Sequence, residues 1–292
     1  VIGSSNTDMV VQTAHFPQPG ETVLGGTFLM NPGGKGANQA VSAARLGGDI
    51  RFVAKLGKDI FGQQAEQGFI KEGLDIQFLI KTSEFPSGVA LITVNGEGEN
   101  EIVVASGANM ALHPSDLPAA LFENISIVLL QLEIPLDTVY YIINMCKEKG
   151  IKVVLNPAPA VALDSDVLKS IFLITPNETE TEILTGIRPD TPATLMEAAR
   201  AFQKKGVQNV VITLGSQGVY LFNDQHQEMI PSQTVTAVDT TAAGDVFNGA
   251  LVSALATGMD WKPACMYACK AAAISVTRKG AQSSAPYKNE IL

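Results

Sequence analysis

The run Val238-Asp-Thr-Thr-Ala-Ala-Gly-Asp-Val-Phe-Asn-Gly249 sets polar Asp239, Thr240 and Thr241 before small Ala242, Ala243 and Gly244. It ends on an acid, Asp245, just where the apolar stretch ALVSALATG begins. This order is what an anion hole needs, because small side chains leave successive amides bare at the positive end of a helix dipole. An acid in a helix's first turn has a plain explanation too, since a carboxylate there offsets the dipole. Two acids bracketing an anion hole would be an odd choice for helix stability alone. Asp245 therefore reads as a general base beside a bound phosphate, taking the proton from an attacking hydroxyl.

A second constellation is Asn31-Pro-Gly-Gly-Lys-Gly-Ala-Asn38, which leads into a helical stretch through Leu46. Gly33, Gly34 and Gly36 let backbone approach a ligand, and Lys35 and Asn38 favour a polar ligand site over an ordinary glycine turn. The order is not a Walker A loop, and no G-x-G-x-x-G dinucleotide fingerprint occurs. In Thr175-Pro-Asn-Glu-Thr-Glu180, Asn177 fits an N-cap, and Glu178 and Glu180 complement the dipole. The same position, at a strand's carboxyl end, suits ligand or Mg²⁺-water contacts equally well. Thr213-Leu-Gly-Ser-Gln-Gly218 reads as a turn or a nucleotide-lining loop, and Arg278-Lys-Gly-Ala-Gln-Ser-Ser284 as the end of the last long helix, where cations are favoured.

These motifs need a scaffold that brings distant segments together. Ile127 to Leu132, Ile151 to Leu155, Ile171 to Ile174 and Val210 to Leu214 are aliphatic runs bounded by Pro, Asn or Gly, and a helical stretch fills Pro135 to Lys149. Continuous Val/Ile/Leu runs alternating with helices predict parallel strands buried on both faces, hence a layered α/β/α fold with a mostly parallel central sheet. Val10 to Met30 and Gly88 to Ser106 break that rhythm; the second reads as a hairpin with Asn-Gly at its turn. Both predict a small β-sheet lid, formed by about 10–30 and 88–106, on a single domain spanning 1–292. In open α/β sheets the active site lies at the carboxyl ends of the strands.

Composition narrows the chemistry. A hydrophobic content of 46% with 17% charged residues describes a globular chain. The net charge of -9 argues against a nucleic-acid surface, and no apolar run approaches the length of a bilayer span. The sequence opens at Val1 inside a strand-like run, which points to residues preceding it and makes the lack of a leader weak evidence. The three cysteines, Cys146, Cys265 and Cys269, are odd in number and unevenly spread, a pattern that suggests no disulfide framework. Cys265 and Cys269 stand one helical turn apart, and helix packing explains them better than a zinc site lacking its other ligands. With His15, His113 and His226 far apart and no G-x-S-x-G or H-E-x-x-H, hydrolase readings are poorly supported. A reducing, cytoplasmic setting fits.

On these motifs the sequence resembles the ribokinase branch of the ribokinase/PfkB carbohydrate kinase family over nearly its whole length. The resemblance rests on GGKGAN (Gly33 to Asn38) and DTTAAGD (Asp239 to Asp245), with NGEGEN, QLE, NPAPA, TPNETE and ITLGSQG between them and VTRKGAQSSAP at the end. It implies transfer of the γ-phosphoryl of Mg-ATP to O5 of D-ribose, with K⁺ activation. By motif match, Asn6, Asp8, Gly34, Lys35, Gly36, Asn38 and Glu133 would hold the sugar, and Asp245 would be the base. Asn177, Thr213, Gly215, Gly218 and Gly244 would line ATP, with the amides of Ala242, Ala243 and Gly244 forming the anion hole. Asp239, Thr241, Ser275, Arg278, Gly280 and Ser284 would hold K⁺, several through carbonyls, and Glu180 would reach Mg²⁺ through water. The β lid would also make a homodimer. Ala242 stands where the general family pattern has Gly, and Cys269 where some ribokinases carry a His near the adenine. Kinases of deoxyribose, fructose or a nucleoside are the rival readings, and a non-catalytic sugar-binding regulator is a more distant one.

Overall fold

In the computed structural model, which describes residues 1–291, β1 (Asn6–Gln12) and β2 (Thr27–Gly33) pair antiparallel. Through Gly34, β2 runs directly into α1 (Lys35–Arg45). There follow β3 (Lys55–Gly57), α2 (Ile60–Lys71) and β4 (Ile80–Thr82), the two short strands lying parallel. The hairpin expected after Gly88 forms as β5 (Gly88–Val94) and β6 (Asn100–Ala105). Its turn is closed by Asn95, whose Oδ1 accepts from the amides of Glu97 and Glu99. β5 joins β1 in parallel, giving an outer sheet in the order β2-β1-β5-β6.

The remaining chain builds the central sheet and its covering. In order come β7 (Ile127–Leu130), α3 (Leu136–Lys149), β8 (Lys152–Leu155), α4 (Ser165–Leu168), β9 (Leu173–Ile174), α5 (Glu178–Thr185) and α6 (Pro192–Lys204). Then β10 (Asn209–Thr213), β11 (Val219–Phe222) and β12 (Gln227–Ile230) lead to α7 (Ala243–Ala256) and α8 (Trp261–Ser275). Strands β7 to β10 are parallel, as their unbroken aliphatic sequences require, and β11 and β12 extend the edge antiparallel. The strand expected from Ile171 pairs only at Leu173 and Ile174. Ile171 itself is buried, and its amide closes the turn after α4 by bonding the Leu168 carbonyl.

Neighbouring residues on one strand go to opposite layers. Leu130, Val153, Leu155, Val210 and Ile212 pack with Ile142 and Ile143 of α3 and Phe202 of α6. Leu129, Val154, Leu173 and Val211 pack with Phe247 and Leu251 of α7 and Ala268 of α8. The architecture is the expected α/β/α sandwich with a small second sheet. Cys265 and Cys269 are buried in α8 as packing residues, and Cys146 is buried on the inner face of α3.

α1 packs on α7, and both present small residues at the contact: KGANQAVSAAR on one helix and AGDVFNGALVSALA on the other. A Cβ built on Gly249 would lie 2.6 Å from the Gln39 carbonyl oxygen and 2.7 Å from Ser42 Cβ, so backbone meets backbone there. Among the described residues, no helix is long and apolar enough to cross a membrane.

Candidate active site

Asp245 sits in the first turn of α7, only 6% exposed, with α1 against it. Its Oδ2 accepts from Asn38 Nδ2 and its Oδ1 from Gln39 Nε2, both at 2.9 Å. The GGKGAN segment and the DTTAAGD segment therefore meet at one carboxylate, more than two hundred positions apart in sequence.

The turn before α7 is built around Ala242, whose φ of 59° is left-handed. Adopting it costs an alanine about 1–2 kcal/mol, which is the physical reason glycine suits this position and alanine is the next smallest choice. Ala243 N–H closes the turn on the Thr240 carbonyl at 3.3 Å. The amides of Ala242, Gly244 and Asp245 itself find no acceptor among the described residues. The bare amides are thus offset by one from the expected trio: Ala243 is partly engaged, and Asp245 adds a donor.

A cavity of about 350 Å³ opens on this turn. Asn177, Glu180, Thr213, Gly215, Gly218, Thr240, Ala242, Ala243, Gly244 and Asp245 all line it, together with Lys35. Its lining lies at the carboxyl ends of β8, β9 and β10, where Asn156, Thr175 and Thr213 follow or end their strands. Asn177 caps α5 and forms a capping box with Glu180: each side chain accepts the other's amide, at 2.8 and 2.9 Å. The helix-cap reading and the cavity-lining reading of this pair hold together. Cys269 and Ala272 of α8 complete one wall.

The other expected ligands gather on the far side of Asp245. Glu133 Oε2 accepts from Ser4 Oγ at 2.5 Å and from the Lys35 amide at 3.1 Å. Gly34 makes the joint between β2 and α1 at φ 88°, and a Cβ there would lie 2.7 Å from the Asn6 amide. Gly36 is equally tight against Ser4. Asn6 is buried on β1, its Oδ1 accepting from Asn109 Nδ2 at 2.7 Å, and Asp8 follows two residues on, so that both extend from the same strand face. The Asn38 Oδ1 is buried without a partner among the described residues, an acceptor left for a hydroxyl or amide donor.

The site is strongly acidic. Burial, then the charges of Glu133 and Asp245, push Asp8 up to about 6. Burial also holds Asp245 above the usual carboxylate range, against the pull of Lys35 and of the Asn38 and Gln39 hydrogen bonds. Burial likewise leaves Glu180 raised, with Asp245 and Glu178 adding to it, against the pull of the Asn177 amide and Lys35. Lys35 is the cation among these acids: burial works against its charge, but Asp245, Glu133, Glu180 and Asp8 together raise its pKa.

The third group forms a stitched pair of loops behind the bare amides. Asp239 Oδ1 accepts from the Thr241 amide at 2.9 Å and its Oδ2 from the Gly280 amide at 2.8 Å, which holds its carboxyl below the usual range although burial opposes this. The amides of Val238 and Asp239 both bond the Val276 carbonyl. Ser275 and Ser284 are buried, each hydroxyl turned back to a carbonyl three residues earlier. Arg278 departs from expectation: α8 ends at Ser275, and the Arg278 guanidinium pairs with Glu290 instead of capping the helix. Its backbone remains in the loop. The donors offered here are carbonyl, hydroxyl and carboxylate oxygens, a set that fits a hard cation.

Sequence reasoning missed a buried belt of uncharged polar side chains. Gln131 Nε2 donates to Gln39 Oε1, and Gln39 Nε2 donates to Asn156 Oδ1 as well as to Asp245. Asn156 Nδ2 reaches the Thr175 carbonyl; Thr175 Oγ1 donates to Asn248 Oδ1, and Asn248 Nδ2 to the Gly244 carbonyl. The belt runs across the strand ends and returns to the turn it started from. The signal available was an amide inside an otherwise small or aliphatic run, as with Gln39 in ANQAVSAA.

The two halves of the site come from separate stretches of chain. Asn6 to Asn38 and Glu133 stand on one side, and Asn156 to Ala272 supply the cavity apart from Lys35.

The sequence and the fold both resemble those of known proteins. The sequence profile described as "pfkB family carbohydrate kinase" matches residues 1–288. A ribokinase of Haemophilus influenzae is 44% identical, the alignment covering 100% of this chain and 96% of the relative. A deoxyribokinase of Salmonella typhi is 39% identical over 98% of this chain and 94% of its own length. The structure of Arabidopsis thaliana ribokinase complexed with ribose and ATP superposes with a TM-score of 0.91 at 32% identity, covering 99% of this chain and 96% of that one. A family match of this extent, on a fold whose strand ends carry a buried carboxylate beside bare amides, means that the chain belongs to the pfkB family of carbohydrate kinases.

Proposed function

We propose that this chain is a ribokinase, transferring the γ-phosphoryl of ATP to O5 of D-ribose to give D-ribose 5-phosphate. The observation that carries the reading is Asp245: a buried carboxylate touching Asn38 on the sugar side and opening α7 beside bare amides on the nucleotide side. The sugar lies along Asn6, Asp8, Gly34, Lys35, Gly36, Asn38 and Glu133, with the Asn38 Oδ1 accepting one of its hydroxyl protons. ATP fills the cavity over Asn177, Thr213, Gly215, Gly218 and Gly244.

Phosphoryl transfer asks mostly for in-line placement and charge stabilisation. Asp245 takes the proton of the O5 hydroxyl as the O5–P bond forms and the bond from phosphorus to the β,γ-bridging oxygen breaks, ADP leaving. Its raised pKa makes it a better proton acceptor than an ordinary aspartate. The bare amides of Ala242, Gly244 and Asp245, with Ala243 beside them, face the transferring phosphoryl, and Lys35 offsets developing negative charge. The ATP substrate carries a divalent cation such as Mg²⁺, which would neutralise phosphate charge, and Glu180, a carboxylate lining the cavity, would hold one of that ion's waters. K⁺ would sit between the Asp239–Thr241 and Ser275–Ser284 segments, among oxygens of Asp239, Thr241, Ser275, Arg278, Gly280 and Ser284, where its charge favours the anion-hole turn. The outer sheet serves as the lid, excluding water.

A homodimer through that sheet is supported by one of its faces. Paired Met9 and Met30, then Leu91 and Val103, form one cross-strand row, and Met30, Leu91 and Val103 are exposed at 45%, 53% and 66%. An apolar row of this kind calls for a cover, and a second copy offers the same one.

The test is ADP release over ribose, deoxyribose, fructose and nucleosides, with and without K⁺. Ribose should give the highest kcat/KM; a different preferred acceptor would move the assignment within the family, and sugar binding without turnover would make the chain a regulator. Asp245→Asn should cut kcat by about 10²- to 10⁴-fold with little change in KM. Near-normal turnover would remove Asp245 as the base.

A further inference from the structure

We propose that Gln39 is a positioning residue for Asp245, holding the Oδ1 edge of the carboxylate so that the Oδ2 edge, shared with Asn38, takes the proton. The inference rests on the reading of Asp245 as the base.

Gln39 is fully buried on α1, and every polar atom of its amide is engaged. An ionised Asp245 carboxylate can only accept, so the Gln39 nitrogen must face it and Asn156, at 2.9 Å each, which leaves the Gln39 oxygen to accept from Gln131 at 2.5 Å. A side chain so anchored cannot follow a moving ligand. Asn38 is different. Its Nδ2 bonds Asp245 Oδ2 at 2.9 Å, but its Oδ1 is buried with no partner among the described residues, so it alone of the pair has an atom left for substrate.

Adjacent residues on a helix point about 100° apart. Asn38 and Gln39 therefore grip the carboxylate from two directions, one adaptable and one fixed. Fixing one oxygen also fixes the plane of the carboxylate, and with it the direction in which the other meets an attacking hydroxyl. Because Gln39 is neutral, it does this without neutralising the base, which an arginine or lysine at the same place would do. Lys35 on α1, Glu133 after β7, Asp8 on β1 and Glu180 on α5 are the charged groups acting on Asp245 from the surrounding elements. Gln39 stands between Asp245 and the strand ends on the side where none of them lies in hydrogen-bond contact.

Gln39→Met keeps length and removes the hydrogen bonds. It should lower kcat by about 10- to 100-fold, the scale expected for a misplaced reacting group. The KM values for sugar and ATP should stay within about twofold of wild type. The acid limb of the kcat profile should move to higher pH, because a hydrogen bond to the charged carboxylate is gone. In the double variant with Asp245→Asn, the Gln39→Met loss should vanish, since there is no base left to position. A wild-type kcat with an unmoved acid limb overturns the proposal, as does a loss that multiplies with that of Asp245→Asn. Should Gln39→Met not fold, Gln131→Met releases the Gln39 amide without touching Asp245. It must move the same limb in the same direction, and an unmoved limb overturns the proposal. Asp245→Asn alone separates the two claims. If it keeps turnover, the base reading fails and takes Gln39 with it; if it is inactive while Gln39→Met is normal, only the Gln39 proposal fails.

Discussion

Adding one methyl group at Gly249 should slow turnover although the residue touches neither substrate. Gly249 lies four residues beyond Asp245 on α7, about 6 Å along the helix axis. A Cβ there would fall 2.6 Å from the Gln39 carbonyl oxygen, 2.7 Å from Ser42 Cβ and 2.9 Å from the Ala43 amide nitrogen. The nearest of these is about 0.8 Å short of the 3.4 Å at which ordinary contact begins, and two of the three atoms are backbone, which cannot rotate away. α7 must therefore shift or tilt from α1 by several tenths of an ångström. The overpacking should destabilise the fold by about 1–3 kcal/mol, a fall of about 2–10 °C in Tm for a chain of this size. The same shift draws Asp245 away from Asn38 and Gln39, whose bonds to it are both 2.9 Å. At a reacting centre, a 1 Å misplacement costs on the order of 10²-fold, so Gly249→Ala should lose about 10- to 100-fold in kcat, with KM for ATP nearly unchanged. Thermal melting and steady-state kinetics on one preparation suffice. A variant with Tm within about 1 °C and kcat within about twofold of wild type would refute the claim that the α1–α7 spacing sets the geometry of the base.

Asp8→Asn should stabilise the protein while weakening its hold on the sugar. The native state raises Asp8 from 3.8 to about 6, so a penalty for its charge develops between those values and is complete above them. The gain in Tm should grow from pH 4 to pH 6 and level off beyond, while the sugar KM rises; a gain independent of pH would show that Asp8 is not the source. Asn109→Ala should loosen the sugar strand from the body. Asn109 Oδ1 accepts from the Ser5 amide, and its Nδ2 donates to the Ser5 carbonyl and to Asn6 Oδ1. Orphaning those buried groups should cost about 2–4 kcal/mol and raise the sugar KM. Melting and sugar titration check it, and a lower Tm with an unchanged sugar KM would show that the amide only braces the fold.

What could be read from the chain alone was whatever is written locally. The runs around Val128, Val153 and Val211 carry no polar alternation, and a strand buried on both faces has no other way to look. Asn95-Gly96 marks its own turn, and Ala242-Ala243-Gly244-Asp245 announces a bare helix start beside an acid. The family resemblance added Asn6, Asp8 and Glu133 to the locally legible Gly34–Asn38 segment, and no local rule would have gathered those three. The belt through Gln39, Gln131, Asn156 and Asn248 went unread because each amide finds its partner across the fold, and a lone amide in an apolar run gives no sign of which partner that is. Arg278 was misplaced for a related reason. The last turn of α8 was expected to reach it, but the helix stops at Ser275 and Glu290, from the following segment, claims the guanidinium. The offset among the bare amides follows from the left-handed Ala242, a conformation that an alanine's sequence position does not advertise.

The separation of the site along the chain has a consequence for how such proteins change. Everything proposed to recognise the acceptor precedes α3, and everything proposed to recognise the nucleotide, Lys35 apart, follows it. A recombination event within Leu136–Lys149 would graft a new acceptor reader onto an intact phosphoryl-transfer apparatus. The graft would be viable only if the incoming α1 kept its small-residue face and its amide at position 39, because those are the terms on which the two halves meet. Diversification of acceptor choice is thereby open across the first half of the sequence, and the narrow seam between α1 and α7 is the part that inheritance cannot edit one side at a time.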